Sequence, residues 1–465
     1  MMNKLYSFLL ILILFSCQKE KEDSRIASID SFLSGQQQFF KFNGNVLIAE
    51  HGKIIYKKSF GLSNFDTQET LNDSSVFELA SVSKQFTATA ILLLKERGKL
   101  QLTDSLRQFF PELPYHNITV YQLLTHTSGV PDYESNMEEK WDHKKIAFNQ
   151  DVINFFAKEK TPVDFQPGKK WAYSNTGYAL LASIIEKVSG QSYKDFLAAN
   201  IFTPLGMTHS RVYNTRRSGE TLKNYAYGFV WSDSLKKFQL PDSVKDFSMV
   251  YWLDGIQGDG VVNSTSEDLL KWDRGMVNHT ILSEGSIKEM LSQQALIDSI
   301  SNRYYGYGVM LGKNKYGNFI THSGGWPGYV TNLARYTDED RTIIVLSNNQ
   351  SSSPLISETI VHILNNHPVV LPHEHQPASL DTTALKAFVG SYVSSTSKYD
   401  LILNKEGVVQ VSQSGARRKL LMESVTKLYF PDGRDIQLEI EKDADGKLKF
   451  YRIVYGIKEE IKKVK

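Results

Sequence analysis

The stretch Phe86–Lys95, FTATAILLLK, is apolar or small on every side and lacks any Gly or Pro. A surface helix shows a stripe of apolar residues, whereas one that is apolar all round must be covered on all sides. The chain therefore needs layers enough to bury a whole helix. Its 465 residues supply them, and that length predicts two domains with accessory segments. The formal net charge is only +2, with acidic and basic residues interspersed. No basic stripe exists for a nucleic acid, so that partner class is excluded.

The N-terminus reads separately from the fold. Met1–Lys4 is a short positive start, and the apolar run Leu5–Phe15 is too short to span a bilayer comfortably. Ser16 and then Cys17, the one cysteine in the chain, close it. A single cysteine permits no intrachain disulfide. Leu14-Phe15-Ser16-Cys17 resembles a bacterial lipobox, which implies export, removal of the signal 1–17, and lipidation of Cys17 as a membrane anchor on the periplasmic or cell-surface side. Residues 18–26 then read as a charged tether.

Beyond the tether, NVLIAEHGKIIYKKSFG is a hairpin pattern around His51-Gly52. Helical runs dominate the middle: the one after Ser83, then ITVYQLLTHTSG, YALLASIIEKVSG, and STSEDLLKW with a capping box of Ser264 and Glu267. Strands return in GNFITHSGG, YVTNLARYTDED and RTIIVLSNN, before a closing helix LISETIVHILNN. Early strands, many helices and late strands predict an α/β (α+β) fold: an antiparallel sheet completed by both chain ends, flanked by helices, with a helical region beside it. That unit spans 27–366. The Pro/His-rich 367–379 reads as a solvated linker, because His373-Glu374-His375 has no third metal ligand at a recognisable spacing. Short alternating runs with Gly turns over 380–465 predict a small all-β barrel. No metal and no cofactor is expected.

The chemistry concentrates ahead of the buried helix. Ser81-Val82-Ser83-Lys84 is one of several Ser-x-x-Lys spacings; the others, at Ser16, Ser234, Ser395 and Ser424, open no buried helix. Residues three apart share a helix face, so Lys84 reaches the Ser81 hydroxyl while Ser83 faces elsewhere as a cap or packing residue. A helix N-terminus and apolar walls both favour the neutral amine that a base requires. On this stretch alone, nucleophile and structural cap remain open alternatives. Tyr173-Ser174-Asn175 stands just ahead of a second apolar helix, and His322-Ser323-Gly324-Gly325 lies on a strand whose glycines allow a substrate backbone close approach.

In this order and these contexts, Ser81/Lys84, Tyr173/Asn175 and His322/Gly324 resemble the three motifs of the serine beta-lactamase and penicillin-binding-protein-like family. The resemblance is to its branch of class C beta-lactamases, D-alanyl-D-alanine carboxypeptidases and D-aminopeptidases. LLTHTSGVPDY, PGKKWAYSNTGY, PLGMTHS and GDGVVNSTSEDLLKW also match, covering roughly 27–366, and the barrel resembles a lipocalin-like tail. The resemblance implies a serine hydrolase with Ser81 acylated, Lys84 and Tyr173 sharing proton transfer, and substrate contacts from Asn175, His322, Gly324 and Gly325. The N–H groups of Ser81 and Gly325 would form the oxyanion hole. His322 stands where the lactamase branch usually has lysine, which favours peptidase or esterase action over antibiotic hydrolysis, and Asn175 favours an amide. The expected substrate is a small peptide, amide or ester; oligomeric state stays open. An α/β-hydrolase is disfavoured because Thr321 replaces the first glycine of its G-x-S-x-G elbow. A pocket-bearing sensor without turnover is the non-enzymatic alternative.

Overall fold

Strands with a continuous apolar run belong in a sheet covered on both faces. Gly44–Glu50, with Val46–Ala49, and Arg341–Ser347, with Ile343–Leu346, are of this kind, and in the computed structural model they pair antiparallel within an eight-stranded sheet. The structure describes residues 23–299, 301–379, 381–394, 398–405 and 407–464. In spatial order the sheet runs Ala295–Asp298, Arg303–Tyr305, Met310–Asn314, Gly317–Trp326, Tyr329–Tyr336, Arg341–Ser347, Gly44–Glu50 and Lys53–Phe60. Both chain ends of the unit thus complete one antiparallel sheet, as the order of elements predicts.

Period-2 alternation divides these strands between two cores. Leu47, Ile344 and Leu346 face the helical side, where they join Phe86, Ile91 and Leu92 of the helix Lys84–Glu96. Val46, Ile48, Ile343 and Val345 face the other side, against Ile29 and Phe32 of the helix Ser24–Phe40 and Ile356 and Ile360 of the helix Ser353–Leu364. Leu92 is fully buried, so Leu92→Ala would cost about 2–5 kcal/mol in lost transfer energy and cavity.

Several elements differ from their sequence reading for local reasons. The first helix starts at Ser24, inside the predicted tether, because the Asp23 side chain accepts from Arg25 N–H and Arg25 reaches Glu50. The helix in ITVYQLLTHTSG is only Val120–Leu124, since His126 adopts a left-handed φ of 58°. The helix Ser266–Val277 is capped by Thr265 accepting from Asp268 N–H, not by Ser264, which ends a strand. Cys17 and the signal 1–17 lie outside the described residues.

The C-terminal region forms a nine-stranded antiparallel sheet curled into a nearly closed barrel, running from Arg417–Lys419 at one edge to Leu421–Ser424 at the other. A helix not anticipated from the sequence, Thr382–Phe388, precedes it and drives Leu385 and Phe388 into the barrel core. The hairpin tip Tyr455-Gly456 seats the barrel on the larger unit. Tyr455 is buried in that unit's outer core, its carbonyl accepts from Thr359 Oγ1 (2.7 Å), and Val370 N–H donates to the Gly456 carbonyl (2.9 Å). Gly456 has φ +83°, and a Cβ there would lie 2.7 Å from Val370 O, so close approach and backbone both demand glycine.

Candidate active site

Ser81 sits in a 3₁₀ turn, Ala80–Ser83, that leads into the buried helix. The turn is pinned from three directions. Thr331 Oγ1 donates to the Leu79 carbonyl (2.7 Å), Leu79 N–H donates to Val262 O (2.9 Å), and Val262 N–H donates to Ser83 Oγ (3.1 Å). Ser83 is therefore a fully buried packing residue whose oxygen is already used. Gly324 explains itself here: a Cβ would stand 2.1 Å from Leu79 O, so only glycine lets the strand lie against the turn. Gly325, by contrast, faces open space and lines the cleft. Two non-glycine residues on the cleft wall, Ala80 (φ 49°) and Val261 (φ 66°), hold left-handed backbone. Such positions cost on the order of 1–3 kcal/mol each and persist where surrounding contacts over-determine them.

Lys84 is fully buried, with Nζ 3.1 Å from Ser81 Oγ, 2.8 Å from Asn175 Oδ1 and 2.7 Å from the Asp259 carbonyl. Asn175 opens the helix Asn175–Ser189, and its Nδ2 donates to Glu134 Oε1 at 2.9 Å. Three of the sequence-predicted residues thus form one hydrogen-bonded chain. Tyr173 joins through its ring instead: Nζ of Lys84 lies 4.9 Å from the ring centroid, while among the described residues the Tyr173 hydroxyl bonds neither Ser81 nor Lys84.

His322 takes a place the motif does not reveal. It is buried, its Nε2 is 3.0 Å from the Tyr305 hydroxyl, and its Nδ1 is 2.7 Å from Ser323 O. With the carbonyl accepting from Nδ1–H, Nε2 is left to accept from Tyr305. Burial drives the ring down to about 3, so it stays neutral. Both nitrogens are engaged inside the wall, Nε2 by the Tyr305 hydroxyl and Nδ1 by the Ser323 carbonyl. His126 lies in the same aromatic box, its ring 4.4 Å from those of Tyr173 and Tyr305, with Nδ1 accepting from Ser174 N–H (3.1 Å). Burial holds its pKa well below the ordinary histidine range.

The cleft in front of Ser81 measures about 310 Å3 and is lined by Glu78, Glu134, Asp254 and Asp259, with no Lys, Arg or His among the described residues that line it. Burial raises Glu78 to about 8, with repulsion from Asp254 and Asp259 adding to it and Arg216 opposing. Burial, then Asp259, raises Glu134 to about 7. Asp259 is also raised, chiefly by burial, and accepts from the Tyr133 hydroxyl (2.8 Å). Sequence reading missed these carboxylates as chemistry, although VPDY, the residue after it, and GDGVV lie in or beside matched stretches.

Comparison with known proteins agrees with this geometry. Residues 41–364 match the Beta-lactamase family model, about 70% of the chain. Penicillin-binding protein 4* of Bacillus subtilis (strain 168) is 37% identical over 432 residues, spanning 91% of this chain and 96% of that protein. The chain belongs to the beta-lactamase family. It is a serine hydrolase of the beta-lactamase fold. Among solved structures, a D-amino acid amidase from Ochrobactrum anthropi SV3, complexed with L-phenylalanine, is 25% identical, covering 74% of this chain and 98% of that chain at a TM-score of 0.60. The octameric penicillin-binding protein homologue from Pyrococcus abyssi shares the fold over 94% of this chain and 100% of its own, at 24% identity and a TM-score of 0.67.

The linker makes one contact that spacing along the chain does not reveal. His373 and His375 meet a third donor, Glu423 of the barrel, at 3.3 and 3.1 Å, and the His375 side chain is only 6% exposed. The barrel draws these two side chains against it, while most of 367–379, Leu371, Glu374 and 376–379 among them, stays exposed as a solvated linker would.

Proposed function

We propose that the chain hydrolyses amides and short peptides of D-amino acids bearing a free amino group, through an acyl-enzyme on Ser81. The carrying observation is the cleft itself: four carboxylates line the space in front of Ser81, and the Lys84 amine beside the serine is already held by Asn175 Oδ1 and the Asp259 carbonyl. A carboxylate held near pH 7 or above by burial is relieved when an ammonium group approaches, so the site suits a substrate cation. It suits poorly the carboxylate of a β-lactam or of a D-alanyl-D-alanine terminus, and neutral His322 offers that carboxylate no charge. A D-amino acid amidase among the solved structures supports the same class.

In this reading Asn175 Oδ1 and Asp259 O take two N–H groups of Lys84, which aims the remaining direction of Nζ at Ser81 Oγ. Ser81 Oγ adds to the substrate carbonyl as its proton passes to Lys84. The oxyanion is held by the N–H groups of Ser81 and Gly325. The C–N bond then breaks, the leaving amine takes the proton, and water hydrolyses the ester to free acid and Ser81. Tyr173 assists proton delivery once substrate draws its hydroxyl inward, and Asn175 bonds the substrate amide.

A turnover panel tests this. D-aminoacyl p-nitroanilides should exceed their L-forms, D-Ala-D-Ala peptides and nitrocefin, with a fluorophosphonate adduct on Ser81. Faster nitrocefin or D-Ala-D-Ala turnover would overturn the substrate class, and a folded protein with no turnover of any amide or ester would make it a sensor. Export and anchoring through diacylated Cys17, on the periplasmic or cell-surface side of a bacterial membrane, belong to the same reading. Cys17→Ser should block processing or release the protein, and a wild-type chain found wholly soluble outside the cell would refute the anchor.

A further inference from the structure

His373 and His375 are two residues apart in an extended segment, so their side chains leave the same face. Glu423 comes from the barrel-edge strand Leu421–Ser424, which the segment joins through Ala378 N–H donating to Met422 O at 2.8 Å. His373 Nε2 stands 3.3 Å and His375 Nδ1 3.1 Å from the one oxygen Glu423 Oε1, and one ligand atom from each residue can be chosen with all three within 4.8 Å of one another. Donors at about 2.0–2.1 Å around a tetrahedral zinc ion stand about 3.3–3.4 Å apart, so these two separations match its edges. The cluster also has unused capacity: among the described residues Glu423 Oε2 is buried without a hydrogen-bond partner, so the carboxylate keeps a free oxygen to offer an ion.

The ligands are held as well as gathered. The His375 ring stacks on Tyr429 at 4.5 Å with 17° between planes and meets the edge of Phe40, at the end of the first helix, at 5.9 Å. Ordered rings lose little entropy on binding a metal. Asp435, near both histidines, is held by Gln36 of the first helix at 2.6 Å.

We propose that His373, His375 and Glu423 bind a zinc-class divalent cation that ties the linker to the barrel and steadies the barrel's seat on the hydrolase unit. Two imidazoles and a carboxylate suit zinc and its neighbours rather than calcium or magnesium, which favour all-oxygen shells. Three protein ligands leave the fourth position to water. None of the three lines the Ser81 cleft, so the ion acts on assembly and not on the hydrolytic step.

Chelator-stripped full-length protein, titrated with ZnCl2, should bind about one equivalent with a sub-micromolar Kd and unfold at a higher Tm when loaded. His373→Gln/His375→Gln and Glu423→Gln should weaken binding by at least about 100-fold while hydrolysis of a small activated ester is kept. Failure of the wild-type chain to take up Zn2+ at micromolar concentration would overturn the proposal, as would undiminished binding by the double variant. Should the variants misfold, the wild-type chain decides alone. Zn2+ should protect His373 (40% exposed side chain) from diethylpyrocarbonate while His51 (78% exposed) stays reactive, and equal modification of His373 with and without Zn2+ would refute the site.

Discussion

The hydrolase unit and the C-terminal barrel bury very different things. Around Ser81 the chain buries Lys84, His126, Glu78, Asp259 and His322, and holds Ala80 and Val261 in left-handed backbone. The barrel interior is Leu385, Phe388, Tyr392, Leu401, Leu428, Leu438 and similar residues; its buried polar groups, Asp435 and Gln437, gather near the seam where Gln36 arrives. Burying a polar group costs several kcal/mol unless it is hydrogen-bonded. A core retains such groups where they do chemistry or fix an orientation, so the contrast locates the reaction in one unit and recognition between units at the other's edge.

Four substitutions test that contrast, in descending size of effect. Ser81→Ala should lower kcat on a D-aminoacyl p-nitroanilide by at least about 10⁴-fold, since a nucleophile cannot be replaced by binding alone. Circular dichroism should be unchanged, and residual turnover near wild type would move the chemistry away from Ser81. Tyr455→Ala should leave kcat on a small activated ester intact but cost about 3 kcal/mol in thermal or urea unfolding, because it empties the docking pocket of the barrel. Loss of ester hydrolysis in that folded variant would mean the barrel completes the active site.

The third expectation is a pH profile. Glu134 stands at about 7, so below that pH its carboxyl takes up a proton and no longer pairs with a substrate ammonium. KM for a D-aminoacyl amide should therefore rise as pH falls below about 7 and level off roughly 10-fold higher, with no such trend for a neutral ester. Glu134→Gln should flatten the profile and raise KM about 10-fold at pH 8. An identical profile for amide and ester would detach Glu134 from substrate charge. Smallest, Gln36→Ala should cost about 1 kcal/mol, since it removes the Gln36–Asp435 bond of 2.6 Å. The effect should be read in unfolding experiments only, and any change in amide KM would couple the seam to the cleft.

Legibility follows from how far each interaction reaches along the chain. The Ser81–Lys84 pair is local, three residues on one face, and its 3.1 Å contact is what that spacing dictates. The all-round apolar helix, the central strands and the turn-punctuated barrel are also written locally, in periodicity and in Gly positions. Boundaries fared less well where a single conformation decided them. His126 ended a helix early by turning left-handed, and Asp381 started one where only strands were expected.

The sequence by itself determined the architecture, the buried helix and the motif residues, because short-range patterning and spacing encode them. Tertiary structure alone decided what surrounds those residues. Glu78 reaches the cleft beside Asp254 and Asp259, Lys84 finds Asn175 and the Asp259 carbonyl 91 and 175 residues away, and His322 turns inward to Tyr305. His373 and His375 likewise meet Glu423 only when the barrel folds back, 50 and 48 residues on. Charge, protonation and ligation depend on distance and burial in space, and neither is a property of spacing along the chain.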